Sequence, residues 1–359
     1  MRVLVINNLD LPFPPGLRLE KEYRALVDAG HQVLIVAQKN AIDKNSHKFN
    51  ILDIDHYKRS LIKKILFKLV WDDYGLRKEI VKLISDFSPD IVLGIDLQWS
   101  HFAYKVAKEY KAKFVVDFLE NMPAAVQTHL KSEKPLIRYI KILSGLYRKN
   151  RLIKYEERTF SQADLVFVVV EEAYARFQQK DTDGKVLVVK NTELPEKWDY
   201  QPQRSKRQEN LLKLTYVGGI GEHRGIDTLI HSTKFIKGKD YHISIIGFDT
   251  ASYYYKKMCK LVLDTGKENF VTLKGKIPFT EVEKTLLNSD VLVIPHNSSE
   301  HTNTTVPHKL FQYMCVGKPV LVSDVKPLKR IVEECDCGVV FKADDPVDCA
   351  EMIDWCISN

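Results

Sequence analysis

The chain has 359 residues, a length typical of two domains, and its 45% hydrophobic and 28% charged residues exclude a disordered protein. The longest apolar run, from Leu165 to Val170, is far shorter than the ~20 residues of a membrane-spanning helix, and the first residues lack a secretory signal pattern. The formal net charge is +7, and the six cysteines form no Cys-x-x-Cys pair, so we expect reduced thiols in a cytoplasmic protein.

The first half of the chain alternates strands with helices. Short runs rich in β-branched residues are separated by longer stretches with helical spacing, such as residues 19–29, which Gly30 closes. This alternation is typical of parallel βαβ units with helices on both faces of a sheet. The predicted strands are residues 3–6, 33–36, 91–95, 114–117, 165–170 and 186–189.

A polar stretch at residues 195–210 lacks apolar periodicity and is predicted to be a linker, after which the alternation resumes. The predicted strands are then 212–217, 243–246, 271–273, 291–294, 320–322 and 338–341. We therefore predict an α/β fold of two doubly wound, Rossmann-like domains, 1–197 and 205–344. Ligands of such sheets bind at the carboxyl ends of the strands, so a central cleft between the domains is the expected site.

Two stretches of the first domain carry an excess of positive charge. Residues 58–68 contain five basic residues and no acidic residue, and residues 131–158 contain nine basic residues and three acidic residues. Apolar residues at 61, 62, 65, 66, 69 and 70 predict an amphipathic helix with a cationic face. Such a helix either packs on the domain core or lies on an anionic membrane surface. Nucleic acid is not expected as a partner, because no groove of aromatic and basic residues accompanies the charge.

Charged residues near a predicted strand end and on the first helix are candidate site residues of the first domain. Asp117 and Glu120 form the best acidic pair; alternatively they cap the next helix at Asn121 or pair with a lysine. Arg18 and Glu22 lie four residues apart in a predicted helix. They either contact an acceptor molecule or form an ordinary ion pair along that helix.

A glycine-rich turn follows the first predicted strand of the second domain. Residues 216–225 read Tyr-Val-Gly-Gly-Ile-Gly-Glu-His-Arg-Gly and lead into a predicted helix. Backbone N–H groups at such a turn face an anion, and Arg224 can bind two phosphate oxygens. Arg224 stands at the third glycine position of the dinucleotide fingerprint, and no Walker lysine follows. A tight turn with a solvated arginine is therefore the alternative.

Residues 295–324 carry the clearest family signal. They form a polar loop, a short helix and a strand, and residues 314–320 read Met-Cys-Val-Gly-Lys-Pro-Val. This segment resembles the donor-sugar motif of glycosyltransferase family 4, in which Glu-x7-Glu precedes Met-x-x-Gly-x-Pro-Val. Together with the glycine-rich turn and the start of the chain, it is similar to GT-B enzymes over essentially the whole length.

The resemblance implies a donor site in the second domain and an acceptor site in the first. Arg224 and Lys309 would bind the donor diphosphate, Thr304 would contact the sugar, and Gln312 would contact the ribose. The implied donor-binding residues are Gly16, Gly219, Arg224, Gly247, Lys276, Ile277, Thr304, Thr305, Val306, Lys309 and Gln312. The implied catalytic residues are Asp117, Glu120, Arg224 and Lys309, and those on the acceptor side are Arg18, Glu22 and Asn121.

The sequence departs from the family pattern at three places. Thr304 and Gln312 replace both glutamates of Glu-x7-Glu, Gly219 replaces a basic residue, and Leu119 replaces a histidine. A glutamine can still accept a hydrogen bond from a hydroxyl, but more weakly than a carboxylate. These departures leave the donor sugar open.

The resemblance implies a retaining transferase that moves a sugar from a nucleotide diphosphate donor, most simply a UDP-sugar, to a glycan or lipid-linked glycan. No cofactor or metal is expected, since His296, His301 and His308 lack the spacing of a metal site. Residues 345–359 are expected to form a helix that returns to the first domain. The alternatives are a GT-B subunit that binds without transferring, a UDP-sugar 2-epimerase, and a non-enzymatic membrane scaffold.

Overall fold

The computed structural model describes residues 1–8, 17–38, 49–54, 57, 59–131, 133, 135–195, 198 and 211–359. Within these residues the chain forms two compact units, Met1–Asn191 and Thr192–Asn359, each with its own parallel sheet. The division lies close to the predicted end of the first domain at 197. Most of the predicted linker, and Gly16 of the predicted donor site, lie outside the described residues.

The first unit contains a seven-stranded parallel sheet in the order β3-β2-β1-β4-β5-β6-β7. Its strands are β1 (Arg2–Ile6), β2 (Gln32–Ala37), β3 (Ile51–Asp53), β4 (Ile91–Ile95), β5 (Lys113–Phe118), β6 (Leu165–Val168) and β7 (Val186–Val188). The predicted strands are confirmed, and the edge strand β3 is an addition. Because β1 pairs with both β2 and β4, the strand order reverses there, which is where ligands of such sheets bind.

The described helices of the first unit are α1 (Leu17–Asp28), α2 (Leu61–Val70), α3 (Tyr74–Leu83), α4 (Ser100–Tyr110), α5 (Met122–Lys131), α6 (Pro135–Leu143), α7 (Lys149–Gln162) and α8 (Glu171–Tyr174). Side-chain caps fix the starts of α2 and α3. Ser60 accepts a hydrogen bond from the Lys63 amide at 3.3 Å, and Asp73 accepts one from the Leu76 amide at 3.2 Å.

An aromatic group joins α2 and α4 beside the sheet of the first unit. Trp99 is fully buried, and its ring lies 4.2 Å from Phe67 and 5.2 Å from Phe102. The Arg59 guanidinium lies 4.4 Å from the Phe67 ring centroid and pairs with Asp73 at 3.2 Å. Phe67 is thus the side chain by which α2 is anchored to the domain.

The second unit contains a six-stranded parallel sheet in the order β10-β9-β8-β11-β12-β13. Its strands are β8 (Leu212–Val217), β9 (Tyr241–Phe248), β10 (Val271–Gly275), β11 (Val291–Ile294), β12 (Val320–Ser323) and β13 (Gly338–Phe341), each at a predicted position. They are largely buried, so each appears in the sequence as an apolar run. The strand order reverses at β8, which pairs with β9 and β11.

The helices of the second unit are α9 (Ile226–Ser232), α10 (Tyr253–Thr265), α11 (Phe279–Leu287), α12 (Lys309–Cys315), α13 (Lys326–Cys335) and α14 (Pro346–Ser358). The last helix differs from the prediction for residues 345–359. It packs on α9 and β13, and its buried residues Cys349, Ala350 and Ile353 belong to the core of the second unit. Their spacing puts all three on one face of the helix, and that face packs on the apolar core of the second unit.

No helix among the described residues has both the length and the apolar character that crossing a membrane requires.

Candidate active site

The candidate site of the second unit begins where two glycines bring β8 and β9 together. Gly247 has φ 127°, and a Cβ atom there would lie 2.1 Å from the carbonyl oxygen of Gly218. Gly218 itself has φ 143°, and a Cβ atom on it would lie 2.6 Å from Nζ of Lys309. A side chain at Gly218 would therefore fill the space directly beside the Lys309 ammonium, and one at Gly247 would push the two strand ends apart.

Two tyrosines hold α12 and its first residue, Lys309, against the end of β8. The Tyr313 hydroxyl donates to the Val217 carbonyl at 3.0 Å and accepts from the Val217 amide at 2.9 Å. Lys309 donates to the Tyr216 hydroxyl, and its Nζ lies 3.8 Å from the centroid of that ring. The ammonium group is therefore held at the carboxyl edge of the sheet, next to the glycine-rich turn.

Arg224 lies in a 3₁₀ turn, residues 222–224, that is packed against the end of β11. Gly225 closes the turn with φ 64°, and a Cβ atom there would lie 1.6 Å from the Pro295 carbonyl oxygen. Nη1 of Arg224 lies 3.0 Å from Nε2 of His296. Since a guanidinium can only donate, Nε2 is the acceptor, which puts the ring proton of a neutral His296 on Nδ1.

Basic groups are concentrated around this edge. Burial, followed by the charges of Arg224 and Lys309, lowers the pKa of His296 well below its usual range. Burial and the Arg224 charge likewise lower the pKa of Lys309 well below its usual range. The ring of His223 lies 6.5 Å from that of His296 and 5.8 Å from that of His301. An anion placed here would supply the negative charge that favours protonated Lys309.

The loop before α12 places three predicted donor residues beside this cationic edge. Residues 302–304 form a 3₁₀ turn, and the Thr304 hydroxyl donates to the Glu300 carbonyl at 2.7 Å. The Thr305 hydroxyl donates to the His301 carbonyl at 3.1 Å, and Val306 is buried. Both threonine hydroxyls donate their protons within the loop, so a ligand here would contact mainly backbone N–H groups.

Gln312 has a partner that the sequence did not indicate. Its side-chain amide lies 3.3 Å from Oε2 of Glu193, whose carboxylate is almost completely buried. Nδ1 of His308 lies 3.6 Å from the same oxygen, and Nε2 of His308 lies 3.0 Å from the Thr192 carbonyl oxygen. A carboxylate is thus present next to the position where the family pattern has its second glutamate, but it comes from the segment that begins the second unit.

The remaining predicted donor residues follow strand ends of the same sheet. Gly219 follows β8, and its carbonyl accepts a hydrogen bond from the Tyr216 hydroxyl at 2.8 Å. Lys276 and Ile277 follow β10, with Lys276 exposed and Ile277 half-buried. The sheet order puts them on the far side of β9 from β8.

In the first unit, the structure brings Arg18, Glu22 and Asp117 together in an internal ion cluster. Arg18 donates from Nε to Oδ2 of Asp117 at 2.7 Å and from Nη2 to Oδ1 at 2.8 Å. Its third nitrogen, Nη1, donates to the Val189 carbonyl at 2.8 Å. Asp117 has no exposed surface, and its catalytic role stays a prediction. Because both of its oxygens are engaged by Arg18, Asp117 positions this arginine.

Glu22 is the second carboxyl group of the cluster. Its Oε1 lies 3.0 Å from Nε of Arg18, which is the helical ion pair considered as an alternative for these two residues. Burial, followed by the charge of Asp117, raises the pKa of Glu22 to about 9. One guanidinium thus faces two buried carboxyl groups, which disfavours the charged form of Glu22.

A second acidic group of the first unit includes Asp96, which was not among the predicted site residues. Asp96 follows β4 with φ 61°, and its carboxylate accepts from the Leu97 amide at 2.7 Å. Burial, followed by the charge of Glu120, raises the pKa of Asp96 to about 8. The signal was available, since Asp96 follows its strand much as Glu120 follows the next. Asn121 is buried and caps α5 by accepting from the Ala124 amide at 3.3 Å.

Among the residues that the structure describes, no group of three or more histidine, cysteine, aspartate or glutamate side chains could hold a metal ion.

Comparison with known proteins agrees with this architecture. Residues 199–359 match the family described as glycosyl transferases group 1, and no curated protein matches the chain. Sucrose-phosphate synthase from Thermosynechococcus elongatus has a similar structure, with a TM-score of 0.76, 14% identity, and coverage of 100% of this chain and 90% of that chain.

Two further solved structures are similar. Anabaena HepE in complex with UDP gives a TM-score of 0.71 at 13% identity and covers 100% of this chain and 90% of that chain. A Listeria monocytogenes protein described as a putative UDP-N-acetylglucosamine 2-epimerase gives a TM-score of 0.61 at 14% identity, with coverage of 100% of this chain and 88% of that chain. At these identities the likeness establishes the GT-B fold. The family match of the second unit and the fold of the whole chain together support a glycosyltransferase of the GT-B type.

Proposed function

We propose that the protein transfers a sugar from a UDP-sugar to a glycan or lipid-linked glycan, with retention at the anomeric carbon, as a member of glycosyltransferase family 4. The observation that carries the proposal is the pair of cations at the strand-order reversal of the second sheet. Lys309 lies beside Gly218, and Arg224 lies beside His296, at the ends of β8 and β11. This combination of a glycine-rich turn with fixed cations fits a diphosphate.

The preference for UDP rests on relatives. Structures of Anabaena HepE contain UDP and UDP-glucose, and these two structures match this chain with TM-scores of 0.71 and 0.70. In this chain, Lys276 and Ile277 would lie along the base, and Gln312 would accept a hydrogen bond from a ribose hydroxyl. Glu193 holds the amide nitrogen of Gln312, which leaves its oxygen for that hydroxyl.

The chemistry asked of the protein is mainly electrostatic. When the bond between the anomeric carbon and the diphosphate breaks, negative charge grows on the leaving oxygen, which can take the proton of the attacking acceptor hydroxyl. Arg224 and Lys309 would stabilise that charge. Burial and the Arg224 charge lower the pKa of Lys309, and a bound diphosphate would favour its protonated form. In the first unit, Asp96 and Glu120 are the acidic groups that would contact the acceptor. Arg18 is held in place by Asp117.

One alternative is a GT-B subunit that binds a nucleotide sugar and transfers nothing. The replacement of both glutamates by Thr304 and Gln312 favours it, since the sugar loses a charged hydrogen-bond acceptor. A second alternative is a UDP-sugar 2-epimerase, for which the likeness to the Listeria monocytogenes protein is the supporting observation.

The test is release of UDP from a panel of UDP-sugars, with and without glycan and lipid-linked acceptors. We expect UDP release that depends on acceptor in the wild type and is lost in Lys309→Met, which keeps the length of the side chain and removes its charge. Binding of UDP without acceptor-dependent release would support the silent subunit. Interconversion of two UDP-sugars without acceptor would support the epimerase, and no nucleotide binding at all would refute the donor site.

A further inference from the structure

Helix α2 of the first unit turns its apolar side to solvent. Leu61 and Ile62 are 74% and 70% exposed, and the other apolar residues of the stripe, Ile65, Leu66, Leu69 and Val70, are each more than 40% exposed. A helix that served only the domain core would bury this stripe. The amphipathic pattern predicted a helix that either packs on the domain core or lies on an anionic membrane, and the exposed stripe does not fit packing on the core.

The anchoring of α2 explains this orientation. With ~100° of rotation per residue, the apolar stripe is centred roughly 150° around the helix from Phe67, the buried side chain of α2. Phe67 packs against Trp99 in the core, so the stripe must point away from the domain. Lys63 and Lys68 lie on the two flanks of the stripe, each roughly 110° from its centre.

Helix α6 repeats the arrangement beside α2. No residue of α6 is buried, and Leu136, Tyr139, Ile140 and Leu143 form its most exposed side. Tyr147 links the two helices: Nζ of Lys68 lies 4.8 Å from the centroid of its ring, and Nζ of Lys141 lies 5.7 Å from it. The two exposed apolar helices are therefore neighbours on one surface of the domain.

The charges around this surface identify its partner. The sequences of α2, LIKKILFKLV, and α6, PLIRYIKIL, contain five basic residues and no acid. A protein partner that covered so many apolar residues would also need acidic groups to match this charge, whereas an anionic bilayer supplies both an apolar interior and negative headgroups. Short amphipathic helices with lysines on their flanks lie in the plane of such an interface, with the long side chains reaching the headgroups.

We propose that α2 and α6 form a membrane-docking surface that inserts its apolar side chains into the headgroup region of an anionic bilayer. The docking itself does not depend on the reaction. That it brings the enzyme to a lipid-linked acceptor rests on the function proposed above.

The experiment is sedimentation with vesicles of phosphatidylcholine, with and without phosphatidylglycerol, at low and near-physiological salt. The test variant carries Ile62→Ser, Leu66→Ser, Leu136→Ser and Ile140→Ser, which change no charge and affect only exposed side chains. The matched control carries Leu263→Ser and Phe279→Ser, two exposed apolar residues of the second unit. For every protein, circular dichroism checks that it is folded and calorimetry measures its affinity for UDP.

We expect the wild type and the control to bind the anionic vesicles, and the test variant to bind them at least about tenfold more weakly. Lys63→Gln should weaken binding about fivefold at low salt and less at higher salt. No binding of the wild type to anionic vesicles, or equal binding of the test variant, would overturn the proposal. So would a dimer in sedimentation equilibrium that the test variant abolishes, since the surface would then be a protein interface.

The two proposals fail separately in this experiment. Loss of vesicle binding with unchanged UDP affinity concerns only the docking surface. Vesicle binding without any UDP affinity would leave the surface in place and contradict the proposed transfer.

Discussion

Replacing Arg224 is the sharpest test of the diphosphate site. The guanidinium is held in place by His296 at 3.0 Å, and its charge adds to burial in lowering the pKa of Lys309. Arg224→Gln keeps a hydrogen-bond donor for the buried Nε2 of His296 and removes the charge. Arg224→Ala removes both, and an unpartnered Nε2 costs about 1–3 kcal/mol of stability.

The expected loss of UDP affinity follows from the lost charged contact. A hydrogen bond to a charged group contributes about 1.5–3 kcal/mol, which corresponds to a roughly 10- to 150-fold higher dissociation constant. The loss should lie toward the lower end, because without Arg224 the pKa of Lys309 rises and its ammonium is more fully charged before the ligand arrives.

The assay is isothermal titration calorimetry of UDP at fixed salt, with thermal unfolding of each protein as a check on folding. Arg330→Gln is the matched control, since Arg330 lies on α13 and pairs with Glu334 at 3.1 Å, away from the glycine-rich turn. If UDP binds to Arg224→Gln within about twofold of the wild type while the protein remains folded, the diphosphate does not lie where the geometry puts it.

Three further predictions concern single positions. Gly218→Ala places a Cβ atom 2.6 Å from Nζ of Lys309 at φ 143°, so UDP affinity should fall about tenfold and the protein should lose about 1–3 kcal/mol of stability; unchanged UDP calorimetry would contradict this. Glu193→Gln loosens the hold on Gln312 and should weaken UDP binding about 3- to 10-fold while leaving pyrophosphate binding unchanged; an equal loss for both ligands would argue against a ribose contact. Burial and the charge of Asp117 raise the pKa of Glu22 to about 9 in the folded protein, from about 4.5 when unfolded, so between these pH values the folded state binds more protons and the wild type loses stability as the pH rises. In Glu22→Gln this loss of stability with pH should be smaller, which urea unfolding at several pH values would measure.

The alternation of apolar runs and helical stretches was sufficient to predict both sheets. Strands such as β4 and β11 are buried on both faces, which requires a continuous apolar run, and such runs are visible without any structure. The three-residue strand β3 was missed because a partly buried edge strand of that length has no such run. The last helix was assigned to the wrong domain because its apolar face indicates that it packs, but not on what.

The candidate site also has features that the sequence predicts and features that it does not. The glycine-rich turn and Arg224 are recognisable from the sequence, because a strand followed by a tight turn imposes local residue choices, whereas Lys309 was predicted from the family resemblance. The burial of Asp117 under Arg18, the contact of Gln312 with Glu193 and the raised pKa of Asp96 all join residues that are far apart in the chain, and no local pattern records such pairings.

The sequence by itself therefore determined two doubly wound domains and the position of the glycine-rich turn, because periodicity and turn chemistry act between near neighbours along the chain. Only the tertiary structure decided which charged groups are closed inside ion clusters and which stay open at a strand end, because burial depends on every element packed around a side chain. It also decided that the apolar stripe of α2 faces outward: one anchor, Phe67 against Trp99, sets the rotation of the helix, and the amphipathic pattern is the same for either orientation.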